Sequence, residues 1–263
     1  MPELEGLYVY ALIRSGVDPR SLGTGIDGAA LLPVEGGAVT AVVHEHAGPP
    51  YGDDETLRRR VLQHNDVVDR LWARDHALLP MTFDVIVTGS GGETARQRLE
   101  AWLRSVEGAA VEGLDRVDGR VELRVDLALD RHDGAASDPG VQALRQRIRG
   151  EQPGIARLLR KRLDGLERDA ADALADRAYP EFRARLARNS TDVVENPRAT
   201  GEDGEVLVLS AALLVDEGSI DEVGRELEAL QDEQPALRVR FLGPWPPYSF
   251  AALRPARSDR QER

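Results

Sequence analysis

The chain has 263 residues, of which 41% are hydrophobic and 30% charged, and a formal net charge of −12. That length suits one large domain or two of ordinary size, and the negative balance argues against non-specific nucleic-acid binding, which needs a positive field to displace phosphate counterions. The absence of cysteine excludes disulfides, thiolate catalysis and cysteine-based zinc sites. With no signal-peptide pattern and no apolar run of about 18 residues, a soluble cytoplasmic protein without a membrane span is expected.

Residues 6–13, GLYVYALI, are aromatic and β-branched and predict a buried first strand. A loop dense in glycine and proline follows, with a short strand at 31–34. AVTAVVHEH at 38–46 predicts a second strand, broken by HAGPPYG. Asp53 or Asp54 can cap the next helix, in which Leu57, Val61, Leu62, Val68, Leu71 and Trp72 follow helical spacing, and Pro80 marks its exit. MTFDVIVTG reads as a third strand closed by GSGG. Residues 93–108 read as an amphipathic helix with Leu99, Trp102, Leu103 and Val106 on one side.

A new unit starts near Asp118. In GRVELRVDLAL the inward residues are Val121, Leu123, Val125, Leu127 and Leu129. Glu122, Arg124, Asp126 and Ala128 alternate with them on a wet face. Residues 140–190 are helical in pattern. Pro153 and Gly154 split them into a short helix and a long one, whose stripe runs Ile155, Leu159, Leu163, Leu166, Ala170, Leu174, Ala178, Phe182 and Leu186, with a kink expected at Pro180. A short strand in NSTDVVENPRAT, a central strand EVLVLSAALLV, an amphipathic helix and a last strand ALRVRFLG complete the order β-α-β-β-α-β, the split βαβ plan. The expected fold class is therefore α+β in two domains. An N-terminal β-β-α-β-α unit occupies 1–117 and a ferredoxin-like unit with a long helical insertion occupies 118–243, followed by a proline/aromatic arm and polar tail at 244–263.

Sequence-level chemistry is sparse. His44 and His46, at i and i+2 on a strand, point to one side as metal ligands can. Without a third ligand at recognisable spacing they read first as a solvated strand end. His64 within a helix reads as a surface or boundary residue with one hydrogen bond, and His76 as a partner of the helix dipole. Asp53, Asp54 and Glu55 serve a helix start. Asp84, an acid inside a predicted strand, reads as facing solvent on alternation. TGSGG lacks the spacing of a dinucleotide or phosphate-binding loop, and neither GxSxG nor HExxH occurs. A helix over 154–188 would span about 50 Å at 1.5 Å per residue, more than a sheet of short strands covers, so part of its stripe is expected to meet another element or a partner.

The segment LGPWPPYSF packs three prolines and three aromatics into nine residues. It either folds back onto the body or presents a stiff recognition arm. Together with GLYVYALI, the helix holding Val61 and His64, the exit ALLPMTFDVIV, VELRVDLAL and PGIARLLRKR, this segment resembles the gas vesicle protein family GvpL/GvpF. The blocks occur in order over nearly the whole chain, and GPWPPYSF is the most specific of them. Thr82, Asp84 and Arg157 depart from the residues common in that family.

The resemblance implies two α+β domains, the second ferredoxin-like, and an accessory or minor structural role in gas vesicle assembly. It implies contacts with the small hydrophobic shell protein and other accessory proteins. No catalytic residue, cofactor or metal is implied, nor any nucleic-acid or membrane partner. The expected partner-binding or fold-maintaining residues are Leu79, Pro80, Phe83, Trp245, Pro247, Tyr248 and Phe250. Two other readings stay open: a small-ligand-binding regulator, and a metal-dependent enzyme around His44 and His46.

Overall fold

The computed structural model describes residues 5–47, 53–75, 77–197 and 199–253. The chain is a mixed helix-and-sheet protein that divides into two compact units, one made of residues through Glu122 together with those from Trp245 onward, the other of Leu123–Pro244. Among the described residues no helix is long and apolar enough to cross a membrane.

In the first unit, β1 (Glu5–Arg14) is the axis of a sheet with β2 (Leu32–Glu35), β3 (Val39–Ala47), β4 (Leu78–Pro80) and β5 (Ile86–Thr88). The order is β2-β3-β1-β4, and β5 also pairs with β1. All these pairings are antiparallel. GLYVYALI is unbroken in hydrophobicity because both faces of β1 are covered. Helix α1 (Asp54–Asp75) brings Val67, Val68 and Leu71 into one cluster with Tyr8, Tyr10, Ala11, Ile13 and Leu78. Helix α2 (Ala95–Val117) takes the other side, where Leu79 packs beside Gly113 and Leu103 beside Gly36. Leu78 and Leu79, adjacent on one strand, thus serve opposite faces.

A bulge interrupts the β1–β3 register between Val9 and Ala11. The extra residue changes the phase of alternation, which is why Tyr8, Tyr10, Ala11 and Ile13 all join the α1-side cluster.

Several expectations for this unit are corrected. MTFDVIVTG is not one strand: Pro80 ends β4, and the chain turns through Asp84 at φ 75° before β5 begins at Ile86. Asp84 is therefore not on a strand, and alternation does not decide where it points. Pro80 is the last residue of a strand instead of merely the exit of a helix, a place that an edge strand tolerates. Leu62 is 64% exposed, and the buried face of α1 is His64, Val67, Val68 and Leu71. Helix α2 runs to Val117, well past Gly108, because Ala110, Leu114 and Val117 continue its buried stripe; Trp102 on that helix is exposed. Asp53 does start α1, its Oδ1 accepting from the Thr56 N–H at 2.9 Å.

The second unit holds a four-stranded sheet in the order β7-β8-β6-β9. Its strands are β6 (Arg120–Asp130), β7 (Asp192–Glu195), β8 (Glu205–Asp216) and β9 (Leu237–Trp245). EVLVLSAALLV is central as expected, and β7 pairs antiparallel with β8. On β6 the inward residues are buried, but Glu122 and Ala128 of the expected wet face are buried too; Glu122 is covered because it binds the backbone and side chain of Ser249.

Helices α3 (Arg131–Gly134), α4 (Pro139–Arg149), α5 (Pro153–Arg188) and α6 (Ile220–Glu233) complete the described helices. Helix α5 is 36 residues long and continues through Pro180, about 54 Å at 1.5 Å per residue. Its buried seam is Ala156, Leu159, Glu167, Ala171, Ala175, Phe182 and Leu186, one residue out of phase with the expected stripe at its middle. The shift follows from close packing: Gly134 of α3 lies against the Ala171 methyl, and Glu167 is held by Arg145 of α4 at 2.6 Å. Toward its end, Arg185 pairs with Glu226 and Glu233 of α6.

Gly36 provides a direct test of the α2 packing. A Cβ there would lie 2.1 Å from Leu103 Cβ, so Gly36→Ala should destabilise the protein by about 1–3 kcal/mol through overpacking. A lowered denaturant midpoint at unchanged slope in equilibrium unfolding would show it.

Candidate functional site

Two tyrosines of β1 and two histidines form a buried polar cluster within the first unit. Tyr10 Oη accepts from the Ile26 N–H at 2.8 Å, which leaves its own proton for His44 Nδ1 at 2.9 Å. Tyr8 Oη accepts from the Asp84 N–H at 3.0 Å and donates to His64 Nδ1 at 2.9 Å. The other nitrogen of His64, Nε2–H, donates to the Met81 carbonyl at 3.0 Å. With Nδ1 accepting, both imidazoles are the neutral Nε2–H tautomer. The rings pack as well: Tyr8 stacks on His44 at 5.1 Å and Tyr10 on His64 at 5.3 Å.

Burial sets the protonation of the cluster. Desolvation pushes the Tyr10 phenol up to about 12, against a hydrogen bond from the Ile26 amide, and raises Tyr8 further. It also lowers His44 from 6.5 to about 4, with repulsion from His46 adding to the effect, and lowers His64 in the same sense. All four groups are neutral near pH 7.

Beside His44 opens a cavity of about 310 Å³. Tyr8, Ile26 and Phe83 give it apolar walls, and Asp27, His46 and Arg60 give it polar ones. Asp27 sits at a left-handed φ of 54°, an unfavourable conformation for a residue with a side chain. Arg59 and Arg60 both bind its carboxylate, and their hydrogen bonds hold it below the usual carboxylate range.

The histidine expectations change accordingly. His44 and His46 do share one side, with ring centroids 6.1 Å apart, but His44 is buried and is not part of a solvated strand end. His64 is neither a surface nor a boundary residue: it is 1% exposed and makes two hydrogen bonds. Among the described residues no three His, Cys, Asp or Glu side chains gather as a metal set. His76 lies outside the described residues. The one signal for the cluster was the spacing of Tyr8 and Tyr10 opposite His44 on neighbouring strands, which becomes visible only once the strand register is known.

Of the expected site residues, Leu79 and Pro80 are buried in β4. Phe83 is half-buried, edge-on to both Tyr8 and His64. The segment LGPWPPYSF divides: its first four residues are the end of β9, not a linker after it, and Tyr248–Phe250 form a 3₁₀ turn. Pro247 and Phe250 are buried, and Tyr248 packs on the cluster that contains Tyr8 and Tyr10. Ser249 donates through N and Oγ to the two Glu122 oxygens at 2.7 and 2.8 Å, and Arg116 donates to the Phe250 carbonyl. Trp245 alone of these residues stays exposed, at 41%.

This architecture matches solved gas vesicle proteins. GvpF from Anabaena sp. PCC7120 superposes with a TM-score of 0.66 at 18% identity, over 95% of this chain and 97% of that one. GvpF from Microcystis aeruginosa gives the same TM-score at 17% identity, over 94% and 99%. In sequence, gas vesicle protein L2 of Halobacterium salinarum is 29% identical over 94% of this chain and 91% of its own length. Gas vesicle protein L of a Streptomyces species is 28% identical over 94% and 92%. The family profile described as gas vesicle synthesis protein GvpL/GvpF matches residues 6–252. The chain belongs to the GvpL/GvpF family.

The depressed His44 makes stability pH-dependent. Its contribution is complete above 6.5, where folded and unfolded imidazoles are both neutral, and is lost as pH falls toward 4 and the unfolded state takes up the proton. The loss should be on the order of 3 kcal/mol. Melting temperatures between pH 7.5 and 4.5 should fall steeply for the wild type and less steeply for His44→Gln.

Proposed function

We propose that this chain is an accessory or minor structural protein of gas vesicle assembly, which works by binding the small hydrophobic shell protein and other accessory proteins and performs no chemistry itself. The family match across residues 6–252 carries this reading. Relatives named gas vesicle protein L in Halobacterium, Haloferax and Streptomyces, and F2 in Halobacterium, support it. The Tyr8–His64 and Tyr10–His44 pairs fit a non-catalytic role, because their hydroxyls and Nδ1 atoms are engaged with one another and with backbone. The place of action is the cytoplasm and the gas vesicle.

Two α+β domains with boundaries near 117 and 243 remain our reading of the organisation. The order β7-β8-β6-β9 supports a ferredoxin-like second domain, since that plan sets its first and third strands side by side in the centre. We assign Leu79, Pro80, Phe83, Pro247, Tyr248 and Phe250 to maintaining the fold, in keeping with their packing, and Trp245 to partner binding. The cavity beside His44 favours a second reading, a small-ligand-binding regulator.

Affinity purification of the tagged chain from vesicle-producing cells should recover the shell protein, and recovery of the chain alone would refute the assembly reading. Trp245→Ala should keep the wild-type melting temperature yet reduce vesicle yield. Tyr248→Ala should lower the melting temperature itself. A saturable thermal shift with one metabolite from a panel would instead favour the regulator.

A further inference from the structure

The α4–α5 hairpin carries a charge opposite to that of the rest of the protein. Residues 139–162 hold seven basic side chains and one acidic, a net +6 in a chain of net −12. Several other arginines of the second unit are paired: Arg183 with Glu195, Arg185 with Glu226 and Glu233, Arg240 with Glu205. At the hairpin, among the described residues, only Arg145 and Arg147 have such partners. Arg149, Arg157, Arg160, Lys161 and Arg162 are exposed and make no ion pair or hydrogen bond among the described residues.

The first turns of α5 also expose apolar side chains. Ala156 and Leu159 are buried, while Ile155 is 47% and Leu158 70% exposed. On a helix the same-face neighbours of Leu158 are Ile155, Lys161 and Arg162, so a small apolar centre lies within a cationic rim. An apolar centre with a charged rim is the anatomy of a protein interface.

We propose that this face of α4–α5 is the docking site for an acidic amphipathic helix of another protein. The inference rests on the reading of the chain as a protein that binds other proteins. Charge complementarity selects an acidic partner, and Ile155 with Leu158 selects one that also presents apolar side chains. Nucleic acid has no use for the apolar centre, and two apolar side chains are too few to hold the helix at a lipid surface.

The test uses the full-length protein and a labelled synthetic peptide with the sequence of α6, IDEVGRELEALQDE, as a defined acidic amphipathic helix. In fluorescence anisotropy the wild type should bind it, more weakly at higher salt. The triple variant Arg157→Glu, Lys161→Glu, Arg162→Glu should bind about tenfold more weakly or worse. Leu158→Ser should weaken binding several-fold, while both variants melt like the wild type, since every altered residue is exposed. The proposal is overturned if the peptide does not bind or if the triple variant binds as well as the wild type. Tighter binding to polyuridylate or to phosphatidylglycerol vesicles with no effect of Leu158→Ser would overturn it too, and so would salt-sensitive self-association abolished by the triple variant, which would make the occupant a second copy. Peptide binding with no shell or accessory protein recovered from cells would defeat the functional reading and leave this surface standing.

Discussion

The first unit depends on the pairing of two β1 phenols with two buried imidazoles. Tyr8 and Tyr10 each accept a backbone N–H from a loop and donate to a histidine on another element. One strand is thereby tied to β3, to α1, to the turn at Ile26 and to the turn at Asp84. A buried hydroxyl or imidazole without a partner would cost 1–3 kcal/mol, so each member makes the next one tolerable. The β1 bulge enters here: by shifting the alternation it lets both tyrosines and Ala11 face α1.

The same cluster explains where the proline/aromatic segment goes. Tyr248 packs onto it, while Ser249 fastens to buried Glu122 and Arg116 reaches the Phe250 carbonyl. A carboxylate buried on β6 would be costly alone; two hydrogen bonds from one serine satisfy it. The segment is thus largely part of the body from Pro246 onward, and Leu242 and Trp245 are the large side chains it leaves in solvent.

The second unit is organised by helix-to-helix proximity and by arginine pairs. Small residues at Gly134, Ala171 and Ala175 let α3 approach α5, and Arg145 of α4 reaches Glu167 within that seam. Arg185 joins α5 to two glutamates of α6. At the start of α5, by contrast, Arg157, Arg160, Lys161 and Arg162 lie close together without an ion pair among the described residues, around the exposed Leu158.

Hydrophobic period alone located nearly all the elements, because burial on one or both faces imprints itself on residue type along a strand or helix. It placed β1, β3, β6, β8 and the helices α1 and α5, and the family blocks were legible for the same reason. What it misplaced lies where one element's fate depends on another. MTFDVIVTG is broken because Tyr8 and His64 draw the backbone at Asp84 and Met81 toward them. The α5 seam shifts because α3 and α4 approach their neighbour closely. His44 and His64 look like surface residues in sequence and become core residues only when Tyr10 and Tyr8 are brought opposite them. A polar side chain is neutral and buried or charged and exposed according to its partners, and those partners are chosen by tertiary structure.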